Sequence, residues 1–136
     1  MNKVLKSELL KNIKQIDESI VNKTLARELT TLNKKIIVLD DDPTGVQTVH
    51  DISVYTDWSS QTIADGFAEK NPMFFILTNS RAFTGEYTEK VHQDIAERIV
   101  KESQKTNKDF IIISRSDSTL RGHYPLETAT LKETVE

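Results

Sequence analysis

Ile36-Ile37-Val38-Leu39-Asp40-Asp41-Asp42-Pro43-Thr44-Gly45 is a short apolar run that stops abruptly in three carboxylates and a turn. A second stretch repeats the arrangement: Phe110-Ile111-Ile112-Ile113 runs into Ser114-Arg115-Ser116-Asp117-Ser118-Thr119-Leu120-Arg121-Gly122. Continuous apolar runs of this length read as buried parallel strands covered by helices. In an open α/β sheet, ligands bind in the crevice beyond the carboxyl ends of the strands. One strand delivers three carboxylates and the other delivers Asp, hydroxyls and guanidiniums, so together they read as two walls of one polar site.

Working outward, strands are expected near 36–40, 52–56, 73–78 and 109–114, with helices near 60–70 and 86–105 and another opening after Tyr124. Ser59 or Ser60 is placed to cap the first of these helices, and Thr84 or Gly85 opens the second. In that second helix Val91, Ile95, Ile99 and Val100 form the inward face, whereas His92 reads as surface. Upstream, residues 3–32 carry Leu9, Ile13, Ile16, Ile20, Leu25, Leu29 and Leu32 at helical spacing, uninterrupted by Gly or Pro. That stripe reads as a helix packed on the domain, or as an arm that pairs with its copy in a homodimer. The expected fold is α/β: a three-layer Rossmann-like parallel sheet with flanking helices, preceded by an N-terminal amphipathic helix. Residues 1–33 form the helical segment and 34–136 the α/β domain.

Composition narrows the function. A chain of 136 residues is one domain by length. The net charge of -3 provides no basic face for nucleic acid. The absence of cysteine removes disulfides and thiolate metal sites. No apolar run approaches the roughly 20 residues needed to span a bilayer, and no signal-peptide core opens the chain, so a cytoplasmic location is the default.

The chemistry sits at the strand ends. Adjacent carboxylates repel and raise one another's pKa unless a cation or donor compensates. For Asp40, Asp41 and Asp42 compensation can come from Mg²⁺, from backbone N–H groups of the turn, or from Arg81, Arg115 or Arg121; a solvated acidic Asx turn is the plainer reading. Asp117, Ser118, Thr119 and Arg121 add acceptors, hydroxyls and a fixed fork of donors. Guanidinium suits a carboxylate, and Asp with Ser/Thr suits hydroxyls, which together fit a polyhydroxylated acid. The plainer reading of this second cluster is a helix N-terminus capped by Asp117 or Ser118, itself attractive to anions. His50 and His123 follow the two clusters and are candidates to line the site. No pair of histidines has metal-ligand spacing.

These residues resemble a known family. Asp41-Asp42-Pro43-Thr44-Gly45 is similar to the opening signature of the four-carbon acid sugar kinases, once catalogued only as a domain of unknown function. Asp117-Ser118-Thr119-Leu120-Arg121-Gly122 matches that family's second signature, and Thr78-Asn79-Ser80-Arg81 sits where the family has a Ser-Arg strand end. The resemblance covers residues from about 35 to 136. It implies two α/β domains: an N-terminal one holding a small hydroxylated carboxylic acid (threonate, erythronate or an oxo-tetronate), and a C-terminal one holding ATP with Mg²⁺ for phosphoryl transfer. Asp41, Arg81, Asp117, Ser118, Thr119 and Arg121 would be the substrate contacts, and Asp41 or Asp42 the catalytic carboxylate. The family often has Lys in place of Arg115 and Asn in place of His123.

The four glycines, at 45, 66, 85 and 122, are too scattered to cradle a triphosphate. The expectation is therefore an incomplete sugar-acid domain that needs a C-terminal nucleotide-binding partner, binds neither ATP nor Mg²⁺ by itself and transfers no phosphate alone. Two rival readings remain. Asp40-x-Asp42-x-Thr44 also resembles the haloacid-dehalogenase phosphatases, with Asp40 as nucleophile and Asp42 as acid/base, although the Asp117–Gly122 loop has no place there. The other rival is a non-catalytic domain that binds small acids.

Overall fold

The computed structural model describes residues 16–136 together with Glu8, Leu10, Lys11 and Ile13. The chain divides into two units, Met1–Leu32 and Asn33–Glu136. In the first unit α1 (Glu18–Thr31) is capped by Asp17, whose carboxylate accepts from the Ser19 N–H at 2.9 Å. The apolar periodicity predicts one helix over 3–32; among the described residues Glu8 and Leu10 are helical, Lys11 and Ile13 are not, and a helix begins again at residue 18. The Asp17 side chain bonds its own downstream backbone, which is what an N-cap does, and so starts a helix inside the stripe. Leu9 lies outside the described residues. None of the α1 residues is buried.

The second unit is a four-stranded, all-parallel sheet in the order β2-β3-β1-β4, with β1 at Lys34–Asp40, β2 at Val54–Tyr55, β3 at Met73–Leu77 and β4 at Asp109–Arg115. Its helices are α2 (Ser60–Ala68), α3 (Gly85–Thr106) and α4 (Leu126–Val135). Ser59 caps α2 and Thr84 caps α3, each hydroxyl accepting a first-turn N–H. The edge strand β2 is shorter than the predicted 52–56.

Side-chain alternation sorts the sheet into two faces. Ile37, Leu39, Phe74 and Ile76 lie on one, packed with Ile63 and Phe67 of α2, Val91, Ile95, Ala96 and Ile99 of α3, and Leu131 of α4. Fully burying one such Phe or Ile side chain contributes roughly 1.5–3 kcal/mol. The steps from β2 to β3 and from β3 to β4 run the same way across the sheet, so right-handed crossovers put α2 and α3 on one face. The step from β1 to β2 runs the opposite way, which sends the 41–53 segment to the other face. There Asp40 and Arg115, paired in register, meet that segment: the Arg115 guanidinium donates to the Gly45 carbonyl at 2.6 Å.

Register sets the position of the site. Leu39 lies opposite Ile76 and Ser114, and Asp40 lies opposite Leu77 and Arg115. The carboxyl ends of β1, β3 and β4 are therefore level, and the three polar clusters leave the sheet at the same height. Among the described residues no helix is long and apolar enough to cross a membrane.

Candidate functional site

The centre of the polar crevice is Asp41, 1% exposed. Its two oxygens take the Arg81 guanidinium in a fork, with Nε at 3.1 Å and Nη2 at 2.9 Å, and one of them also accepts the Asp117 N–H at 3.0 Å. One carboxylate from the cluster after β1 thus joins the cluster after β3 to the cluster after β4. The backbone adds to the link, because the Arg81 N–H donates to the Asp41 carbonyl at 3.4 Å. Arg81 also pairs with Asp42, so two of the three adjacent carboxylates share one guanidinium. Its pKa is driven up first by the bond to Asp41 and then by the surrounding carboxylates.

Asp42 is held by the turn it starts. One oxygen accepts the Thr44 N–H at 2.7 Å and also the Thr44 hydroxyl. These bonds, more than the guanidiniums, hold its carboxyl below the usual range. Asp117 does the same one cluster later: Thr119 N–H at 2.8 Å and the Thr119 hydroxyl bond one oxygen, while Arg121 Nη2 approaches the other at 2.6 Å. Its pKa is lowered, chiefly by Thr119. Asp117 is therefore an Asx-turn former and not the helix cap that the sequence allowed; α4 begins only at Leu126.

Two glycines make these turns possible by close approach. A Cβ on Gly45 would overlap both oxygens of the buried Asp40 carboxylate. A Cβ on Gly122 would overlap the Asp117 carbonyl oxygen and stand 2.9 Å from its carbon. Neither glycine has a positive φ, so space and not backbone conformation is what each supplies.

Asp40 differs from its neighbours. It is 2% exposed, its Oδ2 has no hydrogen-bond partner, and burial pushes its carboxyl above the usual range against the pull of Arg115. A phosphatase nucleophile must reach its substrate, and this carboxylate faces Gly45 instead. The exposed chemistry lies on the other loop, where Ser118, Thr119 and Arg121 face solvent; the Arg121 side chain is 72% exposed.

The remaining predicted residues divide. His123 is half-buried beside the crevice and donates from Nε2 to the Phe83 carbonyl at 3.0 Å. His50 is exposed and pairs with Asp51 at 2.8 Å. His92, read from the sequence as surface, is fully buried, with Nδ1 2.8 Å from the Thr88 carbonyl. Sequence reasoning named Arg115 only as a counter-charge and missed its hold on the first turn through the Gly45 carbonyl, although a glycine five residues past an acidic strand end was the available signal.

Residues 36–136 match the sugar-binding N-terminal domain family. The chain belongs to that family. No curated protein and no solved structure gives a significant match to the chain. The match to the sugar-binding N-terminal domain begins inside β1 and takes in all three polar clusters, and membership supports a sugar-binding role.

Two further groups can be tested against this sugar-binding domain. A nucleotide triphosphate needs clustered backbone N–H groups at a glycine-rich turn. Here Gly45, Gly66 and Gly122 are each filled by a neighbour, respectively the Asp40 carboxylate, the Phe74 ring and the Asp117 carbonyl. The described residues do not fit a triphosphate. Nor do they group three acidic or histidine side chains for a metal ion.

Proposed function

We propose that this domain is the substrate-binding portion of an ATP-dependent four-carbon sugar-acid kinase of threonate, erythronate or oxo-tetronate type, which transfers a phosphoryl group to a substrate hydroxyl. The observation that carries this reading is the convergence on Asp41 of all three strand-end clusters, which leaves hydroxyls and a guanidinium together at the rim. A polyhydroxylated carboxylic acid is the small ligand that uses both donor kinds at once. Arg121 is the fork for its carboxylate, because its own side chain is 72% exposed and open to a ligand, although the Asp117 carboxylate it pairs with is only 7% exposed. Ser118 and Thr119 meet the hydroxyls.

Asp41 and Arg81 are the frame of the site, since their charged atoms are already paired with each other. Asp42 is the better choice for the carboxylate beside the accepting hydroxyl, with 17% of its side chain exposed against 1% for Asp41. Its lowered pKa makes it a weak base. We therefore assign it to orienting that hydroxyl, consistent with phosphoryl transfers in which positioning dominates. The nucleotide is assigned to a separate α/β domain, as in the kinases that the motifs resemble.

Calorimetric titration with four-carbon sugar acids tests the reading. Arg121→Ala should weaken binding by roughly 10- to 150-fold, the range for one charge-assisted hydrogen bond. Lys101→Ala, on the exposed side of α3, should leave binding unchanged. Arg98 is unsuitable as the control because its guanidinium donates to the Trp58 carbonyl at 2.6 Å. Equal affinities for Arg121→Ala and Lys101→Ala would remove Arg121 from the site.

A further inference from the structure

Beneath the crevice lies a set of buried polar side chains that the ligand chemistry leaves unused. Ser80, Thr88, His92 and Glu127 are all 0% exposed, and Thr78 is 2% exposed. They come from the end of β3, the helical turn Ser80–Ala82, α3 and α4. Glu127 Oε1 accepts from the Ser80 hydroxyl at 2.7 Å. Ser80 in turn is bound to Thr78, whose hydroxyl lies 3.2 Å from it and 2.9 Å from the Asp40 carbonyl oxygen. The Thr88 hydroxyl approaches the Ser80 carbonyl at 3.5 Å.

Proton placement shows that this network is incomplete. His92 Nδ1 faces a carbonyl oxygen and must donate to it. In the neutral ring Nε2 then presents a lone pair towards Glu127 Oε1, 3.7 Å away. His92 Nε2 and Glu127 Oε2 both lack a hydrogen-bond partner. Burial holds the imidazole below its usual value, so the neutral ring is the form that faces the carboxylate; the other charge acting on it is His123. A buried carboxylate kept with one oxygen unpaired is costly to the fold, which directs attention to what it holds in place.

Ser80 is the residue before Arg81, and Glu127 opens the helix that follows the Asp117–Gly122 loop. We propose that Glu127 is a positioning residue for the ligand site: through Ser80 it fixes the turn that sets the Arg81 guanidinium on Asp41. What the site binds rests on the sugar-acid reading, but the positioning is measurable without any ligand. The isosteric change also has a definite expectation. In Glu127→Gln the amide oxygen at the Oε1 position still accepts from Ser80, so the bond that fixes the turn is kept while the buried charge is removed.

The experiment follows the Arg81 Nε–H proton by ¹H–¹⁵N NMR on the full chain, with the signal assigned by its loss in Arg81→Lys. The Arg81 Nε donates that proton to Asp41 Oδ2, 3.1 Å away. Ser80→Ala and Glu127→Ala should each speed its exchange by about tenfold or more, the equivalent of losing one buried hydrogen bond, while Glu127→Gln stays within about twofold of the parent chain. Ser80→Ala removes a single oxygen, and in the Glu127→Gln background it leaves no buried charge unpaired, so that pair of substitutions decides the matter even if Glu127→Ala does not fold. Unchanged exchange in Ser80→Ala, or Glu127→Gln as damaging as Glu127→Ala, would overturn the proposal. Sugar-acid affinity measured on the same variants should follow the same order. If the parent chain binds no sugar acid while the exchange rates keep that order, the ligand reading fails and the positioning role stands.

Discussion

Gly45→Ala separates close approach from backbone freedom at the first turn. Gly45 does not have a positive φ, so an alanine fits its backbone and, by restricting the unfolded chain, would by itself stabilise by about 0.4–1 kcal/mol. The added methyl, however, would overlap the Asp40 carboxylate, which at 2% exposure has nowhere to swing. Overpacking of this kind costs about 1–3 kcal/mol. Moving the turn instead breaks the 2.6 Å bond from Arg115 to the Gly45 carbonyl, a further loss of about 1 kcal/mol after allowing for the exposure of Arg115. The net expectation is a loss of about 1–3 kcal/mol, or about 4–14 °C in Tm for a domain of this size. Urea and thermal unfolding of Gly45→Ala, alone and with Asp40→Ala, measure it. In the Asp40→Ala background the methyl has room, and the cost of Gly45→Ala should fall close to zero. A stabilised single variant, or an undiminished cost in the double variant, would refute the reasoning.

Other outcomes follow from the same geometry. Gly122→Ala drives a methyl into the Asp117 backbone, which cannot rotate away; sugar-acid binding should fall by about tenfold or more while far-UV circular dichroism is unchanged, since no helix or strand includes that turn. Asp40 titrates above its usual value because it is buried, so the folded chain takes up its proton before the unfolded chain does and the ionised group opposes folding at neutral pH. Asp40→Asn should therefore raise Tm at neutral pH, with an advantage that shrinks as pH falls through the folded-state value, as thermal melts in a pH series will show. For His92 the shift is downward from 6.5, so the unfolded chain is protonated first and stability is lost as pH drops below that value. His92→Asn should flatten the difference in urea midpoint between about pH 7 and pH 5.

The sheet and its polar end were legible because three strands are continuous apolar runs that stop at charged residues. Those runs located β1, β3 and β4 within two residues and brought Asp41, Arg81 and Asp117 to one end. What escaped was polar. His92 lies one turn beyond Thr88 and three residues before Ile95, on the inward stripe of α3, but hydrophobic periodicity gives no weight to a histidine there. Asp17 lies inside a stripe that neither Gly nor Pro interrupts, and its side chain nevertheless starts the helix at Glu18. Asp117 carried two meanings, ligand contact or helix cap, and the start of α4 at Leu126 removes the cap. Of the compensations the sequence allowed, arginine and turn N–H groups are both used: Arg81 pairs with Asp41 and Asp42, and the Thr44 N–H donates to Asp42.

The central claim is that the three clusters around Asp41 form one ligand site for a small hydroxylated acid. Backbone ¹H–¹⁵N shifts recorded during titration with a four-carbon sugar acid test it most directly. The account predicts saturable shifts concentrated at residues 41–45, 78–81 and 116–122, absent when butyrate replaces the sugar acid. Shifts centred instead on the groove lined by Phe110, Ile112 and Leu131, or equal responses to butyrate, would contradict it.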